Sequence, residues 1–590
     1  MNLTIFLKQT DTLISQYSTE QLGAFVHDIG RVCPENRRED FLETLKSAGS
    51  GTDKVSNENK DKDIDFEEMY RHVRDHIKSI DSQEVTITGI LNEEYDDWYD
   101  DCGEEFYYDD NDGISDMLEE ACDFVHICMD TGRYKEGFEV GNQMLAMEIL
   151  CENEYGDENF SLGDMVRYEF LKRDLKQVIL DAVYCAYHAS VPDKRPEALY
   201  DMIVNAKDDA ITLEAIMQHG DEELPAFKEF LSIWITYLGN KKERDADRLI
   251  LEAIGLLNDV SLEVQYAERY AAAHPGLYLN ILENGKHRMA DDMVSIGIKA
   301  MKAIPKEYIM RSRAALKTAE YVIAADGELS LLEECYFAAY ESDTSAMNYL
   351  RALLNGYGDE KKKKELQKIS IKLSANKSNA SFSMYIRRDF SSEREENRTD
   401  SNMVLLLQFL GGQFADVLDK GLNISKALGW TGTFMKPGIA LYLLYLYEGQ
   451  WNGRGIAAMA EIAKSAMGFS AEEYRKGIRG LEDVGEKELF YQLFLKWKSM
   501  VQMEHDTRNC AVKKITALLK KRTAGIMDAN RRNYYGECAA YIAALGEVRE
   551  SMGETGAKQR LMTSYKDMYP RRNAFREEMR RYGWSDPKRK

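Results

Sequence analysis

The feature that most constrains this chain is an apolar stripe at helical spacing that breaks at a glycine and then resumes. In FLSIWITYLGNKKERDADRLILEAIGLL the break falls at Gly239. In LYLNILENGKHRMADDMVSIGIKAMKAIP it falls at Gly285, and in MRSRAALKTAEYVIAADGELSLLEECYFAAY at Gly327. ISDMLEEACDFVHICMDTGRYKEGFEVGNQMLAMEIL breaks at Gly132, after Leu118, Cys122, Val125 and Met129 have marked one helical face. Glycine enters the left-handed conformation that ends a helix without steric cost. Positions 239, 285 and 327 are 46 and 42 residues apart, and Gly411 and Gly449 repeat the device at 38. One helix pair cannot bury its stripe alone, whereas stacked pairs can. The pattern therefore predicts an all-α chain, an α-solenoid of helix-turn-helix repeats of tetratricopeptide-like or HEAT-like type, in two arrays.

Composition agrees. Only nine of 590 residues are proline, against an average usage of about 5 per cent, so helices can run uninterrupted. Runs rich in β-branched residues are scarce, and Val85-Thr86-Ile87-Thr88 is the clearest. The length exceeds what one hydrophobic core serves. The expected organisation is N-terminal helices over 1–48, a Gly/Ser/Asn-rich linker over 49–64, a helix plus an acidic aromatic segment over 65–113, and a first helical array over 114–355. A basic and polar connection over 356–401 follows, then a second array over 402–590 with a basic C-terminal cap.

Three stretches carry a resemblance. They are DMLEEACDFVHICMDTGRYKEGFEVGNQML, residues 274–354 beginning HPGLYLNILENGKHRMADDM, and NYYGECAAYIAALGEVRESMGETGAKQRLMTSYKDMYPRRNAFREEMRRYGW. From about residue 110 to 585 the chain resembles the tetratricopeptide-like helical region of bacterial SWIM zinc-finger proteins. That family's zinc ligands follow a C-x-C then C-x-H pattern, and this chain contains no C-x-C. The resemblance thus implies a helical scaffold and transfers no metal ligand.

The net charge of −24 repels nucleic acid and anionic membrane from the molecule as a whole. The longest apolar run, Ile439 to Tyr447, is too short to span a bilayer. No secretory signal is expected from MNLTIFLKQTDTLISQ, and nine scattered cysteines fit a reducing cytoplasm. P-loop, dinucleotide-binding, nucleophile-elbow and H-E-x-x-H signatures are all missing from the sequence. Cys122 and His126, with Cys128 nearby, and Cys185 and His188 have helical spacings that could supply half a zinc site. Buried thiols packing as small apolar groups are the favoured account of them. No catalytic residue, cofactor or metal is expected.

Two segments carry strong and opposite charge. Residues 93–113, EEYDDWYDDCGEEFYYDDNDG, hold eleven acids and no base. Asp110, Asp112, Gly113 and Glu119 fall on a calcium-loop template, but Tyr108 occupies its first ligand position. The preferred expectation is an irregular, partly packed segment with its rings inward and its acids in water. Asp96, Asp97, Trp98, Asp100 and Asp101 are its candidate partner-docking residues. From Lys558 to Lys590 there are eleven bases against four acids, and Arg571, Arg572, Arg580 and Arg581 are candidates there. The expected function is a non-catalytic scaffold that binds another protein or peptide. The alternative is a nucleic-acid-associated accessory protein using residues 510–590.

Overall fold

The computed structural model describes residues 59–91, 106–153, 156–206, 211–220, 222–285, 288–355, 364–366, 368, 399–423, 426–481 and 483–585. About 70% of these are helical. The chain divides into two compact units, Met1–Asp259 and Val260–Lys590. The expected helices of 1–48 lie outside the described residues.

Among the described residues of the first unit the first element is α1 (Asn59–Asp81), which begins inside the segment read as a linker. Phe66, Val73, Ile77 and Ile80 form its buried stripe. Strands β1 (Ile87–Leu91) and β2 (Phe106–Asp109) follow, then α2 (Ile114–Asp130) and α3 (Tyr134–Ala146). Next come β3 (Ile149–Asn153), β4 (Glu158–Phe160) and α4 (Leu162–Arg167). The unit closes with α5 (Leu175–Ala189), α6 (Arg195–Ala206), α7 (Leu213–His219), α8 (Phe227–Leu238) and α9 (Arg244–Leu257).

The four strands form one sheet in the order β2-β1-β3-β4. β1 pairs antiparallel with β2, Leu91 opposite Phe106, and parallel with β3, Ile87 opposite Cys151. This corrects the all-α expectation. Ile87, the best β-former of the Val85–Thr88 run, is fully buried with Ile149 and Cys151. A parallel pair needs a long crossover, and here the α2–α3 hairpin lies within it.

Gly132 ends α2 with φ 72°, and Arg133 N–H donates to Cys128 O at 2.9 Å. On α3, a Cβ at Gly137 would lie 2.7 Å from Cys185 Sγ, and one at Gly141 would lie 2.6 Å from Ala182 Cβ. These two glycines let α3 lie against α5 more closely than any larger residue would.

The second unit contains α10 (Val260–Tyr270), α11 (Gly276–Asn284), α12 (Ala290–Ala303), α13 (Ile309–Ala324), α14 (Leu329–Ser342) and α15 (Ala346–Asn355). It continues with α16 (Ser401–Leu410), α17 (Phe414–Gly421), α18 (Met435–Leu446), α19 (Arg454–Ala466), α20 (Ala471–Arg475) and α21 (Glu486–Met500). It ends with α22 (His505–Asp528), a 3-10 turn at Arg532–Tyr534, α23 (Tyr535–Ser551), α24 (Ala557–Met568) and α25 (Asn573–Arg581). Gly285 and Gly327 lie between α11 and α12 and between α13 and α14, while Gly239 lies between α8 and α9 in the first unit. Each of the four glycine breaks is thus an inter-helix turn, but only Gly132 is left-handed: Gly239 and Gly285 keep negative φ, and beside Gly327 it is Asp326 that takes a left-handed φ of 53°.

Packing in the second unit departs from a strict nearest-neighbour stack. Helix α23 touches α18, α19, α22, α24 and α25. It is buried all round, from Tyr535 and Cys538 to Glu547 and Val548. Its sequence, YGECAAYIAALGEV, has small residues on several faces, so partners approach from several sides. A Cβ at Gly455 of α19 would lie 2.3 Å from the Ala544 backbone nitrogen, and one at Gly546 would lie 2.5 Å from Lys558 Cα. Backbone cannot yield as a flexible side chain can. Gly455→Ala is therefore expected to lower the unfolding free energy by about 1–3 kcal/mol, measured by urea denaturation. Gly255→Ala, inside α9 with nothing within 4 Å of the added Cβ, serves as the control and should leave stability unchanged or raise it by up to about 1 kcal/mol. Equal effects of the two changes would refute close backbone packing at α19.

Candidate functional site

Helix α25 exists because Phe575 and Met579, one turn apart, enter a core with Trp584, Tyr535 and Ile542. Its arginines then divide. Arg572 donates to Met527 O at 2.7 Å and Asn530 Oδ1 at 2.6 Å, closing the C-terminal end of α22. Arg580 pairs with Glu577 and stands over the Trp584 ring. Arg581 pairs with Glu578 at 2.8 Å with its side chain mostly in water, and Arg571 is exposed. Further along the basic region, Lys514 donates to Leu418 O and Arg522 to Glu537 and Ala427 O. Lys513, Lys520, Arg531 and Arg532 are exposed.

At the acidic end, Asp96, Asp97, Trp98, Asp100 and Asp101 lie outside the described residues. The last part of that segment is strand β2, which corrects the irregular conformation expected for it. Alternation along the strand sets Phe106 and Tyr108 partly inward and Tyr107, 61% exposed, outward. Tyr108 meets Phe160 edge-on at 4.9 Å and Tyr168 at 4.6 Å. Burial and the hydrogen bond to Tyr168 push its phenol up to about 12. The carboxylates of the calcium template are spent separately. Asp110 accepts from Ile114 N–H at 2.8 Å and Ser115 N–H at 2.7 Å, Asp112 accepts from Thr86 N–H at 2.9 Å, and Glu119 pairs with Arg173. Asp110 thereby satisfies amides at the start of α2 that have no intrahelical partner.

The cysteine–histidine pairs do not converge. Cys122 Sγ faces Met144 Sδ at 3.8 Å, and Cys128 and Cys185 flank Gly137. Burial pushes the Cys122 and Cys128 thiols up to about 12. His188 stacks on Tyr134 and lies tilted against Tyr184, and burial holds its pKa below the ordinary value. His126 instead directs Nδ1 to Asp181 Oδ2 at 3.0 Å, and the other oxygen of Asp181 meets Nε2 of His219. Asp181, 6% exposed, thus ties α2, α5 and α7 together and selects the tautomer of both rings. The sequence signal for it was a single acid inside the apolar run VILDAVYCAY.

Two further features escaped the sequence reading. One is an open groove of about 680 Å³ between α1 and α3, lined by Glu67, Tyr70, Arg71, Arg74, Asn142 and Gln143 among others. The other is the spacing His72-x-x-x-His76 on α1, which helical periodicity alone places on one face.

One cation is held against its preference. Lys498 of α21 donates to Tyr447 O at 2.7 Å, closing the C-terminal end of α18. Burial, with Arg508 nearby, pulls its pKa down to about 8.

Two outcomes are expected. Maleimide at neutral pH should label the exposed Cys510 of the native protein and spare Cys122, Cys128, Cys335 and Cys538 until denaturant is added. Mass spectrometry of the labelled peptides reads this, and early labelling of Cys122 would contradict its burial. For Lys498 the folded pKa lies below the unfolded value of about 10.4. The unfolded chain therefore holds more protons between about pH 8 and 10.4, and this group makes stability rise with pH across that window. Lys498→Met should remove the rise. The stability of wild type minus variant should grow by about 1–2 kcal/mol from pH 7.5 to 10, discounted for screening at a partly exposed group. A flat difference would contradict the desolvation. No protein-family model, curated protein or solved structure matches this chain.

Proposed function

We propose that this chain is a non-catalytic helical scaffold, related in plan to tetratricopeptide-like arrays, that binds another protein or peptide in the cytoplasm. The observation that carries this reading is where the buried charges go. Arg195 donates to Tyr187 O and Pro225 O, and Arg351 to Glu473 O and Tyr474 O. Glu547 accepts from Gly455 N–H and Ile456 N–H and pairs with Lys558. Each of these three buried charges is occupied at a helix end, where it joins one helix to another. A catalytic site instead leaves perturbed groups facing a cleft. The likeness to the helical region of SWIM zinc-finger proteins supports the same reading. Among the described residues no helix is long and apolar enough to cross a membrane.

The docking element of this reading is the acidic connection between β1 and β2, which carries Asp96, Asp97, Trp98, Asp100 and Asp101. Its chemistry selects a basic partner, and such binding weakens with salt. Wild type and a variant with all four aspartates changed to asparagine are compared as baits in extracts of the native host. The expected result is a salt-sensitive partner recovered by wild type and reduced several-fold with the variant, at equal helix content by circular dichroism. Equal recovery would sink the docking role of the segment.

A second reading, nucleic-acid association, is favoured by one observation: Lys513, Lys520, Arg531 and Arg532 are exposed on and just after α22. It requires oligonucleotide binding whose logarithm falls linearly with the logarithm of salt concentration. Loss of that slope when the four are changed to glutamine would support it, and no binding at low salt would remove it.

A further inference from the structure

We propose that His72, His76 and Glu120 form a binding site for a divalent transition-metal ion, zinc foremost. The two histidines are one turn apart on α1, with ring centroids 4.1 Å apart. Their direction is set by the residues beneath them. Val73, Ile77 and Ile80 are buried, which fixes the rotation of α1 and turns both imidazoles toward α2. Glu120 is presented from α2 in the same way, because Leu118, Ala121 and Cys122 beside it are buried.

The distances fit a shared metal ion. Glu120 Oε2 lies 3.4 Å from His76 Nδ1 and 3.5 Å from His72 Nε2. Donor atoms from all three residues lie within 4.8 Å of one another. Charge-assisted hydrogen bonds center near 2.7–2.9 Å, roughly. A tetrahedral zinc with bonds of about 2.0–2.1 Å spaces its ligand atoms about 3.3 Å apart. His76 Nδ1 is also buried and makes no hydrogen bond. An imidazole nitrogen that faces a carboxylate without bonding it can offer its lone pair to a metal ion.

The other edge of α1 supplies a contrast. There Tyr70 donates to Glu139 at 2.7 Å, and Arg74 pairs with the same carboxylate at 3.4 Å. Glu139 therefore meets a permanent cation, whereas Glu120 meets two imidazoles, which carry no fixed charge. A bound metal would supply the missing positive charge and tie α1 to α2. Two nitrogens and one oxygen suit zinc, nickel, copper or cobalt and not calcium or magnesium, which take oxygen ligands. The side chains of His72 and Glu120 are 61% and 53% exposed, so water completes the coordination.

The test uses the full chain, stripped with chelator and titrated with zinc by calorimetry. One equivalent should bind, and calcium in excess should not displace it. Affinity should fall roughly tenfold or more in His72→Ala and in Glu120→Gln. Both positions are largely exposed, so these variants should keep wild-type helix content. His126→Ala and Cys510→Ala should bind zinc as wild type does. Cobalt should give visible d–d bands without thiolate charge transfer. Zinc should raise the thermal midpoint of wild type and leave that of His72→Ala unmoved. Absence of binding to wild type would reduce the cluster to a histidine–carboxylate ion pair and overturn the proposal. So would binding that survives in both His72→Ala and Glu120→Gln.

Discussion

Close approach of helix backbones is the constraint on which the rest of this molecule depends. Gly137 and Gly141 set the spacing of α3 against α5, and Gly455 and Gly546 set the spacing of α19 and α24 against α23. At such distances the backbone itself is the contact surface, and side chains from neighbouring turns interlock around it. Two of the polar arrangements described above are built on this spacing. Asp181 reaches His126 and His219 only because α2, α5 and α7 are held together. Glu547 reaches the amides of α19 only because Gly455 admits α23.

Buried charge plays a related part. Isolated in a low-dielectric interior, an arginine or glutamate is costly. Here such groups sit where helices end and backbone groups lack partners. Arg351, whose pKa burial pulls down, reaches carbonyls at the end of α20 from α15, far away in sequence. Glu547 does the converse with amides. Losing either partner would leave both a charge and a helix end unsatisfied. These contacts therefore select one arrangement of helices among the many that an apolar stripe alone would allow.

What could be read from the sequence follows the range of the interaction. Gly132, Gly239, Gly285 and Gly327 were legible as turns because a helix stop is written within a few residues. The tail of the acidic segment was not legible as a strand. Its partner β1 is itself held by β3, about sixty residues on across a parallel ladder, and no local pattern records that pairing. Helix α23 showed its helicity but not its central position, since a run of alanine, tyrosine and glycine does not say how many neighbours surround it. Cys122 and His126 have the spacing of a ligand pair, yet burial directs the thiol to Met144 and Asp181 draws the imidazole away. His72 and His76 had an equally plain spacing, and it gained meaning only once packing brought Glu120 beside them.

The pairing of Leu91 with Phe106 has a consequence for how this protein can change. It clamps both ends of the acidic connection at adjacent strands, about 4.8 Å apart. Closing a chain between fixed ends costs free energy that grows only with the logarithm of its length. Residues can therefore be gained, lost or exchanged between these strands while the ladder and the helices behind it keep their register. The segment is a place where the lineage can revise what the molecule recognises, one substitution or insertion at a time, without renegotiating the fold.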